Sequence, residues 1–203
     1  MLTSVEPLHP VEIRVLGALI EKDITTPEYY PLTVNSLQNA CNQKSSRDPV
    51  VQFDERTVEQ ALETLKNKHL VVRVSGAGHR VEKFAHRLGE VLNLGRREMA
   101  LLCVLMLRGA QTVGELRGRT ERMHDFNDLD EVERVLETLE KSELVARASR
   151  GRWVQLLGGA VEVEDTQPVA VLRTPLEERV SLLEHQLERL KQQLYEKLGE
   201  RFE

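Results

Sequence analysis

Four amides crowd one short stretch of the chain: Asn35, Gln38, Asn39 and Asn42. On a helix their spacing puts them on a single face, with Leu37, Ala40 and Cys41 opposite. An amide both donates and accepts, so such a face suits base edges or a peptide backbone. Tyr29, Tyr30, Lys44 and Arg47 flank it and complete a candidate interaction surface. The plain alternative is a solvated helix face. A second set is cationic. Arg73, Arg80, Lys83 and Arg87, with His79 and His86, and later Arg147, Arg150 and Arg152, lie in or beside short β-rich runs broken by glycine. Cations on a hairpin can grip backbone phosphate without any sequence code. A solvated hairpin tip is the alternative.

No catalytic constellation accompanies them. No glycine-rich phosphate loop follows a strand, and no nucleophile elbow appears. The six histidines are scattered, with no pair at a metal-binding spacing on one helix face. The reading is therefore no enzyme, no metal, no cofactor and no evident small-molecule substrate.

These groups belong to a unit built twice. TVEQALETLKNKHLVVRV, Thr57 to Val74, returns 74 residues later as EVERVLETLEKSELVARA, Glu131 to Ala148, with nine of eighteen positions identical. In each copy the apolar residues mark one helical face, and Asp54 or Asp128 stands at the N-cap. Glu131 follows Asp128 by three, the spacing of a capping box. Each helix leads into a Leu-Val pair and a hairpin: VVRV, SGAGH, RVEKF in the first copy and VARA, SRGR, WVQL in the second. Working backwards, Leu32-Thr33-Val34 aligns with Gln111-Thr112-Val113, where Thr112 and Glu115 make a capping box, and EIRVLGALI aligns with EMALLCVLM as an apolar helix. Pro10 suits the first position of that first helix.

The order helix, helix, helix, hairpin resembles the winged helix-turn-helix. The expected class is mainly α with small β-hairpins (α+β): two tandem winged helix-turn-helix domains and a C-terminal amphipathic or coiled-coil helix. Expected boundaries are 1–92, 93–160, an extended linker over 161–173, and the helix over 174–203.

The copies differ most before the third helix, where the first carries DITTPEYYPL and NQKSSRDPVVQF as insertions. At the four amide positions the second copy has Gly114, Arg117, Gly118 and Glu121, so the fold is not expected to require amides there. The third helices argue against operator reading. Residues 128–143 hold seven acids against Arg134 and Lys141, clustered where a reading helix would enter the groove.

Charge is −1 over residues 1–92, zero over 93–160 and −4 over 161–203, within a total of −5. Neither domain has the positive balance of a tight DNA binder. Met1 to Pro10 lacks the features of a signal peptide. No apolar run approaches the roughly 20 residues that span a membrane. Cys41 and Cys103 are expected to be buried and reduced, in a cytoplasmic protein.

In the tail, Thr174-Pro175-Leu176-Glu177 is a helix start. Leu176, Val180, Leu183, Leu187, Leu190 and Leu194 then step as a coiled-coil seam. The seam is expected to pair two chains as a homodimer; folding back on its own domain is the alternative.

The segment PEYYPLTVNSLQNACNQKSSRDPV resembles the hallmark of the YceH-like family, bacterial proteins classed as a domain of unknown function. The tandem arrangement and the tail extend that resemblance across most of the chain. It implies a tandem winged-helix fold and a cytoplasmic bacterial protein, and it implies no reaction or ligand. Two functions stay open. DNA binding with a regulatory role ranks first, on fold analogy, the basic wings and the amide face of the first copy. A protein-interaction platform, docking a partner on acidic third helices and the Tyr/Asn surface, is the alternative.

Overall fold

In the first copy, α1 spans Pro10–Thr25 and opens on a capping box. The His9 ring Nδ1 accepts from the Val11 N–H at 3.3 Å, and the Glu12 carboxylate accepts from the His9 N–H at 2.6 Å. Pro10 holds the first helical position, where its missing N–H costs nothing. Thr33 caps α2, Val34–Cys41, and Asp54 caps α3, Glu55–Asn67, accepting from the Thr57 N–H at 2.8 Å. The strands β1, Val71–Val74, and β2, Lys83–His86, pair antiparallel with Val71 opposite His86. A short helix absent from the sequence reading, α4, Leu88–Leu92, ends on Asn93 in the left-handed region. The computed structural model describes residues 6–74 and 81–159. The linker 161–173 and the helix 174–203, with Leu176, Val180, Leu183, Leu187, Leu190 and Leu194, lie outside those residues, as does Arg80.

The second copy repeats the plan with α5, Arg96–Arg108, β3, Gln111–Thr112, α6, Val113–Thr120, α7, Leu129–Lys141, β4, Val145–Ala148, and β5, Arg152–Gln155. The capping box of Thr112 and Glu115 forms as its spacing implies. That of Asp128 is displaced. Asp128 accepts from the Glu131 N–H at 2.7 Å, but the Glu131 carboxylate accepts from the N–H of Asn127, one residue further out.

The class is α+β, helices with small antiparallel sheets. Two further details depart from the sequence reading. In the first copy the second strand begins at Lys83, later than the run RVEKF suggests, because Val74 pairs with Lys83. Each hairpin also gains a third element from the segment before the second helix. In the second copy this is β3, giving the order β3-β5-β4; in the first it is the single bridge of Leu32 to Phe84.

Both third helices end alike. His69 and Glu143 take positive φ of 59° and 56°. The next residues, Leu70 and Leu144, donate their N–H groups back to Leu65 and Leu139, closing Schellman motifs. Neither left-handed residue is glycine. That conformation costs an L-residue about 1–2 kcal/mol, against about 0.5–1 kcal/mol of extra chain entropy for glycine. His69→Gly should therefore raise stability by about 0.5–1 kcal/mol. A higher urea midpoint with unchanged slope is the expected readout.

The centre of the fold is the contact of α1 with α5. Every residue from Glu12 to Ile20 and from Met99 to Leu107 is buried, as expected of helices that are apolar nearly all round. Gly17 lets them approach, since a Cβ there would lie 3.0 Å from Leu107 Cδ2 and 3.2 Å from Met106 Cβ. The Cys103 Sγ sits 3.4 Å from the Gly17 carbonyl oxygen. Backbone bonds also tie the copies together, Leu8 N–H to Leu157 O at 2.7 Å and Asp48 N–H to Leu107 O at 2.9 Å. Residues of both copies thus line one continuous core. Cys41 and Cys103 are free and buried there, and burial pushes the Cys41 thiol up to about 12. Among the described residues no helix is long and apolar enough to cross a membrane.

Candidate functional site

The surface expected around α2 divides into two kinds of residue. Tyr29, Asn35, Asn39 and Lys44 are exposed, Tyr29 at 72%. Asn39 Nδ2 donates to Asn35 Oδ1 at 3.2 Å, one helical turn apart. The others hold the fold. Gln38 Nε2 donates to the Phe53 carbonyl at 3.0 Å. Asn42 clips the same residue twice: its Nδ2 donates to Phe53 O and its Oδ1 accepts from the Phe53 N–H, both at 2.8 Å. These bonds tie α2 to the segment leading into α3.

The second copy solves the same problem with a different side chain. Arg117, aligned with Gln38, donates to the carbonyls of Phe126 and Asn127 at 3.2 and 3.1 Å. The fold therefore does not require an amide at the Gln38 position. It requires a donor reaching the loop, and an amide or a guanidinium supplies it.

Arg47 also leaves the exposed face. Its side chain is fully buried and engages Glu21 twice, at 3.0 and 2.6 Å. It also donates to the carbonyls of Ala40 and Ser46 and to Gln43 Oε1. Burial would raise the Glu21 carboxyl, but the Arg47 hydrogen bonds and charge outweigh it and hold the group below its ordinary 4.5. Tyr30 is half-buried, and its hydroxyl oxygen accepts from the His86 N–H at 2.6 Å, fastening the insertion to β2.

The wing cations are mostly engaged within their own copy. Arg73 pairs with Glu82, and Arg87 with Glu90 at 2.8 Å. Arg152 turns inward, donating to the Ala110 carbonyl at 2.9 Å and to Glu115 at 2.8 Å. Arg147 lies 4.5 Å above the Trp153 ring. Lys83 is half-buried, and Arg150 is exposed at the tip of the second hairpin with φ of 58°. Along α7 the exposed side chains include Asp130, Glu133 and Glu137, with Arg134 and Lys141 as cations among them.

A 620 Å³ cavity beside the first hairpin is lined by Asp23, Tyr30, His86, Glu90, Arg96 and Met99, among others. His86 Nε2 lies 3.3 Å from Asp23 Oδ2. Burial pushes the Tyr30 hydroxyl well above its ordinary range, so it is a poor proton donor at neutral pH. No serine, threonine or cysteine stands in the lining as a nucleophile. Among the described residues no three His, Cys, Asp or Glu side chains group as metal ligands.

Residues 8–152 match the family model described as "Protein of unknown function, DUF480". The chain is similar to the UPF0502 protein of Solibacter usitatus, at 50% identity over 97% of this chain and 98% of that protein. It is similar to the UPF0502 protein of Opitutus terrae at 52% identity, covering 79% and 74% of the two chains. The UPF0502 protein of Serratia proteamaculans is 44% identical, with 92% and 94% covered.

Proposed function

The chain belongs to the DUF480 family of proteins of unknown function, and we propose that it is a non-enzymatic, cytoplasmic, tandem winged-helix protein whose winged units dock a protein partner. The charge of α7 carries this reading. In a winged helix the third helix is the usual reader of the major groove. Here that helix starts on Asp128 and Asp130 and exposes Glu133 and Glu137. Duplex DNA carries one negative charge per about 1.7 Å of axis, so such a helix meets it unfavourably. Wing cations do little to offset this, because Arg73, Arg87 and Arg152 each engage a carboxylate of this chain. A protein with a basic docking surface is the complementary partner. DNA binding through the first wing, ranked first on sequence, has no comparable support.

A photo-activatable residue in place of Glu133, in living cells, tests the reading. The expected product is a discrete protein adduct that disappears when Asp130→Lys and Glu137→Lys are introduced. Both sites are exposed, so stability should move by no more than about 0.5 kcal/mol each. Adducts to nucleic acid, or adducts indifferent to the charge reversal, would overturn it. Self-association through the seam from Leu176 to Leu194 is a separate part of the proposal. Light scattering on protein cut before Thr174 should report a smaller species than the full chain; an unchanged state assigns the dimer elsewhere.

A further inference from the structure

A cleft of 190 Å³ opens where the two copies meet. The end of α1 gives it Glu21, Lys22, Thr25 and Thr26, and the insertion after α2 gives Gln43, Ser45 and Ser46. The last turn of α5 adds Leu107 and Arg108, and α6 with the residues after it adds Arg119, Arg122 and Met123. Four cations therefore face one carboxylate, in a chain whose net charge is −5. That carboxylate is already held from behind by Arg47, at 3.0 and 2.6 Å.

The remaining cations are poorly compensated. Lys22 reaches Glu21 only at 3.5 Å, and Arg119 reaches Glu115 at 3.5 Å. Among the described residues neither Arg108 nor Arg122 forms an ion pair. Burial lowers the pKa of Arg108, and the like charges of Arg119 and Arg47 lower it further. The C-termini of α1, α5 and α6 adjoin the cleft, and each brings about half a negative charge. Together they offset roughly one and a half of the excess positive charges, so dipole compensation explains only part of the cluster. Ser45 and Ser46 make no side-chain hydrogen bond among the described residues, which leaves two hydroxyl donors at the rim.

We propose that this cleft binds a compact phosphate-bearing anion, bridging the cations of α1 and α5 with those of α6 and the serines of the insertion. Guanidinium groups suit phosphoryl oxygens because their planar forks donate two parallel hydrogen bonds. The cleft has room for several waters. That accommodates phosphate or pyrophosphate, or the terminal phosphoryl groups of a larger small molecule. Because its walls come from both copies, an occupant clamps the seam between them.

Calorimetric titration of the full chain with inorganic pyrophosphate, at constant ionic strength, tests the proposal. Saturable binding is expected, with inorganic phosphate binding more weakly. A phosphomonoester of a small alcohol that matches or exceeds pyrophosphate would identify a small-molecule headgroup as the source. Arg108→Gln or Arg122→Gln should weaken binding roughly tenfold or more, the loss of one charge-assisted hydrogen bond. Neither variant should lower the melting temperature without ligand, because each removes a repulsive charge; that readout separates a binding role from a folding role. No pyrophosphate binding by the full chain overturns the proposal, and so does equal binding by both variants. Retention of an anion-free cleft alongside binding of a phosphopeptide or DNA also overturns it.

Discussion

Arg47→Ala should cost about 3–5 kcal/mol at neutral pH, as expected when one partner of a buried ion pair is removed. The substitution strands Glu21 and withdraws the donors that satisfy the carbonyls of Ala40 and Ser46. It frees the insertion after α2 from α1, so the loss is not confined to one contact. The pH dependence identifies the cause. With Arg47 present, the folded-state pKa of Glu21 lies below its ordinary 4.5. Its contribution is therefore whole above the unfolded value and lost as pH falls through the folded one. Without Arg47, burial, the largest influence on Glu21, is opposed only by the weaker pull of Lys22 and raises it. The stability gap between the two proteins should be widest near neutral pH and narrow as pH falls, first through the raised value in the variant and then through the lowered value in the native protein. Urea unfolding at several pH values measures it. A constant gap would mean that lost packing, and not the ion pair, is responsible.

Gly17→Val should lower stability by about 1–3 kcal/mol through overpacking of the α1–α5 contact. Opposing this, replacing glycine within a helix gains a few tenths of a kcal/mol, roughly 0.3–0.5 for valine. The clash wins because the Cβ position already lies 3.0 Å from Leu107 Cδ2 and 3.2 Å from Met106 Cβ, and valine adds two methyl groups beyond it. Gly17→Ala is the informative companion, since only the side chains of Leu107 and Met106 must give way and the gain nearly cancels the strain. Both copies should still unfold in one transition, because they share a core. Two separated transitions in the valine variant would show that the copies are energetically independent.

Much of this arrangement was legible from the chain. The duplicated third helix, the aspartate N-caps and the capping box of Thr112 with Glu115 are local features, decided by residues three or four apart. The contact of α1 with α5 also had a signal. IRVLGALI and MALLCVLM are apolar on nearly every side, and a helix of that kind needs cover all round. What stayed hidden depends on distant partners. Arg47 reads as one more cation in a solvated Lys-Ser-Ser-Arg run until Glu21, 26 residues earlier, is placed against it. Gln38 and Asn42 read as surface amides until Phe53 presents its backbone. The replacement of Gln38 by Arg117 and of Asn42 by Glu121 in the second copy looked like freedom, whereas Arg117 does the work of Gln38. The cleft cations Lys22, Arg108, Arg119 and Arg122 come from three separate elements, and no spacing in the sequence connects them. Strand β3 was missed because two residues before a helix carry too little pattern to mark a strand.

The most direct test of the docking account is titration of the full chain into a fluorescently labelled, mixed-sequence DNA duplex at about 50 mM salt, where phosphate contacts are strongest. The account predicts no saturable rise in anisotropy, because the acidic α7 faces outward and the wing cations Arg73, Arg87 and Arg152 are engaged by Glu82, Glu90 and Glu115. Saturable binding that weakens steeply with added salt, and that is lost on neutralising Arg80 and Lys83, would contradict it and establish the winged units as DNA-binding.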